Sequence, residues 1–202
     1  QNFSPTIPED VEVDLEGVVS PEVLNQTPED VMFLDLETTG LRASRSLAAM
    51  IGFLYRKGTV LHLSQWYAGD AASERRQLKR LRDKMAEFRE IVTYNGDGFD
   101  LPYLYNRAKR LGISEDVNPL YMMKDSATLT KGVHLDLYRT FSNKAFQIYV
   151  FSQKYSDFSL NSVSKGVLGE QKMDYGVEID NMTYYQIAKY CQNDAYLTFK
   201  LT

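Results

Sequence analysis

The chain has 202 residues, of which 44% are hydrophobic, enough apolar material for one sizeable globular domain. No apolar run approaches the roughly 18 to 20 residues of a membrane helix, and no basic-then-apolar leader is present, so we expect a soluble, intracellular (cytoplasmic) protein without membrane contact. A net charge of −4 argues against binding nucleic acid through a broad electrostatic surface, but it does not exclude a substrate held through metal ions.

The cysteine and histidine content restricts the kind of metal site that the chain can form. A single cysteine, Cys191, excludes an internal disulfide and a cysteine-rich zinc site. The two histidines, His62 and His134, lie too far apart in sequence to form a helical metal pair. Any metal ion must therefore be held by oxygen ligands.

The N-terminal part of the chain has the composition of a connecting segment. Residues 1–28 contain many acids and the prolines Pro5, Pro8, Pro21 and Pro28, which predicts an extended lead-in. We therefore expect one domain over residues 29–202. It is predicted to begin with three consecutive strands at about 31–37, 49–56 and 59–67, the last two joined by a turn at residues 57–58.

Helices then alternate with short strands. Apolar residues at spacings of three and four predict an amphipathic helix over about 74–89, with Ser73 as its N-cap. The later pattern predicts a strand at 91–94, a turn at 95–98, a helix over 99–111, a strand at 134–138, a helix at 159–168 and a last helix starting at 181 or 183. This order predicts an α/β fold with a mixed five-stranded sheet, three antiparallel strands followed by parallel ones, flanked by helices.

Basic residues recur between positions 75 and 84 of the first long helix. We interpret them as a solvated helix face, since most charge runs on amphipathic helices face water. The alternative is a track along which a nucleic-acid strand binds.

Two carboxylates one residue apart, Asp35 and Glu37, lie within the otherwise apolar segment 31–41. Side chains alternate across a strand, so both point to the same face. Placing two ionised carboxylates in apolar surroundings costs several kcal/mol unless a cation compensates them. Hard divalent ions such as Mg²⁺ or Mn²⁺ take oxygen ligands and would supply that cation. Taken alone, the pair could equally be exposed acids on an edge strand.

Two further acids occupy notable positions. Asp100 follows a glycine-rich turn just past the predicted strand 91–94, and ligand sites in open α/β sheets lie beyond strand ends. Asp194 follows Tyr190 by four residues, so the phenol and the carboxylate project from one face of the last helix. They could act on one water molecule.

Three segments together resemble a known family. The segments 34–40 (LDLETTG), 94–103 (YNGDGFDLPY) and 190–194 (YCQND) are similar to the three exonuclease motifs of the DEDD superfamily, in the subgroup with tyrosine in the third motif. The resemblance covers about residues 31–201, with weaker likenesses at 134–138 and 159–169. It is strongest to the proofreading exonuclease domain of family B DNA polymerases and to related stand-alone exonucleases.

The resemblance implies a ribonuclease H-like fold and 3′–5′ hydrolysis of single-stranded nucleic acid with two divalent cations, Mg²⁺ or Mn²⁺. It implies that Asp35 bridges both ions, that Glu37 and Asp194 complete the site that activates water, and that Asp100 serves the second ion. Tyr190 would orient the water. The implied substrate contacts are Thr38, Thr39, Leu41, Asn95 and Phe99.

The implied substrate is the 3′ end of single-stranded DNA, with RNA possible, and the implied protein partner is a polymerase or another replication or repair protein. Two alternatives remain open from the sequence. One is an RNA-directed or structure-specific nuclease that uses the same site. The other is a module that keeps the fold and binds nucleic acid or protein without cleaving.

Overall fold

The computed structural model describes residues 9–113 and 132–202 and contains one six-stranded sheet in the order β1-β4-β3-β2-β5-β6. The strands are β1 (Asp10–Leu15), β2 (Val31–Thr38), β3 (Ala48–Lys57), β4 (Val60–Tyr67), β5 (Glu90–Thr93) and β6 (Val133–Asp136). Strands β1 to β4 pair antiparallel with their neighbours, whereas β5 pairs parallel with β2, and β6 pairs parallel with β5. The mixed α/β architecture that the sequence predicts is thereby confirmed.

The helices lie on both faces of this sheet. They are α1 (Pro21–Gln26), α2 (Ala71–Met85), α3 (Asp100–Arg110), α4 (Leu137–Phe141), α5 (Leu160–Leu168) and α6 (Tyr184–Lys200). One turn of π-helix, Phe146–Val150, lies between α4 and α5. One 3₁₀ turn, Ile179–Asn181, precedes α6.

The predicted sheet of five strands was one strand short, because β1 extends it at the antiparallel edge. Residues Asp10–Leu15 pair with β4 from Trp66 to Leu61, so this part of the predicted lead-in is extended but belongs to the sheet. His62 of β4 pairs with Asp14 and lies 3.7 Å from the Glu12 carboxylate, which ties the strand down. The prolines flank β1 rather than interrupt it, and Pro21 begins α1, where its missing N–H costs nothing.

The predicted N-cap of the first long helix was also wrong by one turn. Asp70 caps α2, and its carboxylate accepts from the Ser73 backbone N–H at 2.7 Å. The Ser73 hydroxyl in turn accepts from the Asp70 N–H at 3.1 Å, a reciprocal pair in which Ser73 takes the N3 position. The last helix begins after Thr183, one of the two predicted starts.

Strand β2 separates two hydrophobic layers because its side chains alternate between the faces of the sheet. Met32 and Leu34 pack with α2 and α3, whereas Val31 and Phe33 pack with α5 and α6. Asp35 and Glu37 continue the second set, so they point toward α6. None of the helices in the described ranges is long and apolar enough to cross a membrane.

Candidate metal-binding active site

Asp35 and Glu37 lie side by side at the carboxyl end of β2. A carboxylate oxygen of each and the Cys191 sulfur all lie within 4.8 Å of one another. Glu37 is 5% exposed and Asp35 is partly exposed to an adjacent cavity. The register of β2 against β3 shifts between Glu37 and Thr38, so the regular ladder ends at the second carboxylate.

Helix α6 approaches this strand closely because residue 52 of β3 has no side chain. Gly52 is the cross-strand partner of Asp35, and a Cβ atom built on it would lie 2.4 Å from the Cys191 sulfur. Any larger residue would push α6 away from the sheet. The buried Cys191 thiol therefore lies beside Asp35, with its sulfur within 4.8 Å of a carboxylate oxygen.

The same helix carries Asp194 and Tyr190 to the site. Asp194 is buried, and its Oδ2 lies 2.5 Å from the ammonium nitrogen of Lys172. This nitrogen also lies 4.9 Å from the centre of the Tyr190 ring. Lys172 thus stands between the carboxylate and the phenol and offsets part of the negative charge.

Asp100 is the first residue of α3 and comes from the opposite side. It is buried, and burial raises the pKa of its carboxyl against the smaller, opposite effect of the nearby Leu36 backbone N–H. The preceding turn is held by Asp136, which accepts from the N–H groups of Asn95 at 2.7 Å and Asp97 at 3.0 Å. Asn95 itself takes a left-handed conformation, φ 64°, which asparagine tolerates better than most residues.

These groups surround one cavity of about 330 Å³, which is within the range of small-ligand sites. All five predicted catalytic residues line it, and so do the predicted substrate contacts Asn95 and Phe99. The remaining wall is formed by Leu36, Tyr94, Tyr138, Phe158, Ser159, Leu160 and Lys172.

Three predicted substrate contacts lie beside the cavity and do not line it. The Thr38 hydroxyl donates to the Gly40 carbonyl at 3.0 Å, and the Thr39 hydroxyl accepts from the Leu47 N–H at 2.9 Å. Leu41 is 86% exposed at the tip of the loop that follows. Their role as contacts stays a prediction.

Burial and mutual repulsion raise the pKa values of the site carboxylates. Burial, with the neighbouring Asp35, raises the pKa of Glu37 to about 10, and burial raises the pKa of Asp100 to about 7. Burial also raises the pKa of Asp35 and of Asp194, against the opposing effect of Lys172. For Lys172, burial opposes the charge, but the Asp194 carboxylate more than offsets it and raises the pKa.

The residues present fit a divalent cation. The Oδ2 atom of Asp35 and the Oδ1 atom of Asp194 are buried and have no hydrogen-bond partner within the described residues. Unpartnered buried carboxylate oxygens are costly, and a hard cation would coordinate them. Cys191 does not belong to this donor set, because burial raises the pKa of its thiol and keeps it neutral.

The raised pKa values predict that the metal-free protein loses stability as pH increases. Since the folded state holds protons more tightly than the unfolded chain, whose carboxyl pKa is about 4, the free energy of unfolding should fall by roughly 2–4 kcal/mol as pH rises from about 4 to 7. Urea unfolding in EDTA at several pH values measures this. Adding Mg²⁺ or Mn²⁺ near pH 7 should restore stability, because the cation binds only the folded site. A stability that rises over this interval in EDTA would contradict the prediction.

Lys172 is the functional candidate that the sequence did not reveal. It lies in the irregular segment between α5 and α6, where no periodicity or cap marks a residue. The aromatic wall residues Tyr138 and Phe158 were likewise not predicted. Tyr138 ends the weaker family likeness at 134–138, and Phe158 directly precedes the one at 159–169.

A larger cleft of about 750 Å³ lies elsewhere on the protein. It is lined by Val31 and Glu90, the first residues of β2 and β5, and by Phe199 near the end of α6. It is therefore at the end of the sheet opposite to Asp35 and Glu37, and it contains none of the four site carboxylates.

Comparison with known proteins gives both sequence and structural matches. A model of the RNase H superfamily matches residues 32–202. DNA polymerase 1 of Sulfolobus acidocaldarius is 38% identical over 130 residues, which make up 64% of this chain and 15% of that polymerase. The chain thus spans a small part of the polymerases that it matches.

Two solved structures share the fold. The family B DNA polymerase of Pyrobaculum calidifontis matches with a TM-score of 0.64 and 20% identity, over 86% of this chain and 24% of that one. A zinc-bound complex of E. coli exonuclease I with single-stranded DNA matches with a TM-score of 0.54 and 13% identity, over 85% and 39% of the two chains. At such identities these matches bear on the fold alone.

Proposed function

Because this chain belongs to the RNase H superfamily, we propose that it is a metal-dependent 3′–5′ exonuclease that hydrolyses phosphodiester bonds of single-stranded DNA and releases nucleoside monophosphates. One observation carries the proposal. Carboxylates from β2, α3 and α6 converge on one small cavity, and two of their buried oxygens have no partner among the described residues. Such a density of negative charge is what a two-cation phosphodiester site requires.

The residues divide between two cation positions. Asp35, Glu37 and Asp194 would hold one ion, and Asp35 with Asp100 would hold the second. Bound Mg²⁺ or Mn²⁺ would lower the pKa of an attacking water and neutralise the charge that develops on the phosphate. The Tyr190 phenol, on the same helix as Asp194, would orient the water by a hydrogen bond. The Lys172 ammonium would stabilise negative charge on the reacting phosphate.

The shape of the site supports an end-directed reaction on one strand. A cavity of about 330 Å³ has the size of a small-ligand site, which matches one terminal nucleotide. Asn95 and Phe99 would contact that nucleotide from the α3 side, and Leu41 would pack on a base. Stacking on apolar or aromatic groups is worth about 1–3 kcal/mol per base and tolerates every sequence, which suits an enzyme that degrades any end.

The similarity to DNA polymerases suggests the context of the activity. Relatives that match this chain include DNA polymerases, of which it spans a small part. We propose that the domain removes nucleotides from DNA ends in association with a polymerase or another replication or repair protein.

The test compares wild type with Asp35→Ala and Asp194→Ala on oligonucleotides labelled at either end. Wild type with Mg²⁺ or Mn²⁺ should release labelled mononucleotide from a 3′-labelled strand and a ladder from a 5′-labelled strand. Both variants and EDTA-treated wild type should be inactive. Equal product from all proteins, or none from wild type, would overturn the proposal.

Two additional substrates separate the alternatives. Cleavage of circular single-stranded DNA would identify an endonuclease, and preference for an RNA strand would identify an RNA-directed enzyme. A non-cleaving module would bind the oligonucleotide and leave every substrate intact. The presence of all five expected catalytic residues in one cavity favours cleavage over this last alternative.

A further inference from the structure

The loop between β2 and β3, residues 39–47, begins directly beyond the site. It follows Glu37 by two residues and returns to the sheet at Ala48. We call it the β2–β3 loop. Its backbone closes on itself, because the Thr39 N–H donates to the Leu47 carbonyl at 3.1 Å and the Thr39 hydroxyl accepts from the Leu47 N–H at 2.9 Å.

A buried ion pair between Arg107 and Glu74 anchors this loop. Arg107 of α3 donates through Nε to Glu74 of α2 at 2.7 Å, and a second guanidinium nitrogen contacts the same carboxylate. A third nitrogen of Arg107 donates to the Ala43 carbonyl in the loop at 2.8 Å. Glu74 also accepts from the Ala48 N–H at 2.8 Å, at the point where the loop rejoins the sheet. Glu74 is completely buried and Arg107 is 5% exposed.

Tyr103 adds a second anchor from α3. Its hydroxyl donates to the Leu47 carbonyl at 3.2 Å. The loop is therefore tied to both helices through its middle and its end. A segment tied in this way loses little additional conformational entropy when it binds a ligand.

The same loop carries two exposed cations. Arg42 and Arg45 are exposed, and neither side chain has an ion-pair or hydrogen-bond partner among residues 9–113 and 132–202. Both follow the exposed Leu41 and lie in one turn, because the Arg45 N–H donates to the Arg42 carbonyl at 3.0 Å.

Most of the basic residues of α2, in contrast, already have ion-pair or hydrogen-bond partners. Arg76 pairs with Glu9 at 2.6 Å, and Arg80 pairs with Asp10 at 3.1 Å, both acids lying at or next to β1. Arg75 donates to the Leu111 carbonyl at 3.0 Å. These contacts favour a structural role for the basic residues of α2. The unpaired arginines nearest to the site carboxylates in sequence are therefore Arg42 and Arg45 of the β2–β3 loop.

We propose that the β2–β3 loop is a preformed contact for the phosphates of the strand that enters the site, made by Arg42 and Arg45. The inference rests on the proposed function, since the loop acts on the same strand. The Arg107–Glu74 pair serves as its positioning base. An acidic protein would in this way hold a polyanion through two positive charges on an anchored loop that begins next to its candidate metal site, without a broad basic surface.

The experiment measures the salt dependence of binding of a short 5′-fluorescein-labelled oligothymidylate to the full chain, in an Asp35→Asn background that prevents cleavage. Each phosphate neutralised on a single strand contributes about 0.7 to the slope of log K against log [salt]. Arg42→Gln/Arg45→Gln should therefore reduce the magnitude of this slope by about 1.4 and weaken binding by roughly tenfold at low salt.

The matched control is Lys57→Gln/Arg110→Gln, which removes the same charge from exposed positions. Lys57 ends β3 at the hairpin turn, and Arg110 ends α3. Binding and slope should stay at the parental values in this control. An equal loss in both double variants would mean that only net charge matters and would overturn the inference.

The outcomes separate this inference from the proposed function. If the Arg42→Gln/Arg45→Gln variant binds as the parent does, with an unchanged slope, the two arginines are only solvated. This result would overturn the loop contact and leave the proposed nuclease activity untouched. Absence of both oligonucleotide binding in this background and cleavage by wild type would overturn the nuclease and the loop contact together.

Discussion

Replacement of Asp35 by asparagine is expected to abolish cleavage while making the metal-free protein more stable. The substitution keeps the shape of the side chain and removes the negative charge that a bridging ligand would supply. We expect the rate to fall by at least about 10³-fold, the scale seen when a catalytic electrostatic group is lost. We expect the free energy of unfolding in EDTA near pH 7 to rise by roughly 1–3 kcal/mol.

The gain in stability has a definite physical source. Burial and the neighbouring Asp194 and Asp100 raise the pKa of Asp35, so every carboxylate that stays ionised there destabilises the folded protein. An amide ends part of this repulsion, and its N–H₂ group can donate to Glu37 or Asp194. Active sites commonly sacrifice stability in this way.

The measurements are single-turnover cleavage and urea unfolding with and without Mg²⁺. Asp180→Asn is the control, because it makes the same chemical change at an exposed position. It should leave both quantities near the wild-type values. The metal-induced increase in stability should disappear in Asp35→Asn and persist in Asp180→Asn. Undiminished cleavage, or a metal-free Asp35→Asn protein that is less stable than wild type, would contradict the prediction.

Replacement of Arg107 by methionine is expected to lower the free energy of unfolding by about 3–5 kcal/mol. The substitution leaves Glu74 completely buried without its counter-ion. It also removes the donor to the Ala43 carbonyl and so releases the middle of the β2–β3 loop. Removing one partner of a buried ion pair is more damaging than removing both, because the remaining charge has no compensation.

The double variant Glu74→Gln/Arg107→Met separates stability from loop positioning. The amide oxygen of the new glutamine side chain can still accept from the Ala48 N–H, and no buried charge remains. We therefore expect this variant to recover more than half of the stability lost in Arg107→Met. Ala43 still lacks its anchor, so amide hydrogen exchange in residues 39–47 should be faster than in wild type, and KM for single-stranded DNA should rise more than kcat falls.

Tyr103→Phe provides the control for this pair, because it removes one neutral hydrogen bond to the same loop. It should cost only about 0.5–1.5 kcal/mol. If the double variant is as unstable as Arg107→Met, the lone buried charge is not the cause of the loss. Unchanged exchange in residues 39–47 would show that the loop is held without Arg107.

Local regularities made much of this protein predictable from its sequence. The alternation of β2 gave its two carboxylates a common face, and the glycine-rich turn before Asp100 marked the start of α3. The four-residue spacing of Tyr190 and Asp194 placed them on one side of α6. These features depend on residues that are near one another in sequence, so the chain reveals them directly.

Edge strand β1 escaped prediction because its pattern is weak. Its side chains are mostly exposed, and prolines and acids surround it, as in a linker. Only its partner β4 makes it a strand, through backbone pairing that does not depend on side-chain pattern. The acidic residues of this segment have a structural role as well, because Glu12 and Asp14 lie against His62.

The sequence by itself determined which groups the candidate site can use, namely four carboxylates and the Tyr190 phenol, and it indicated an RNase H-like order of strands and helices. The tertiary structure alone decided that Lys172 meets Asp194, that Gly52 lets α6 reach Asp35, and that Arg107 and Glu74 support the β2–β3 loop. The reason is the range of the interactions. Periodicity and capping act over a few residues, whereas these contacts join residues brought together only when the helices pack on the sheet.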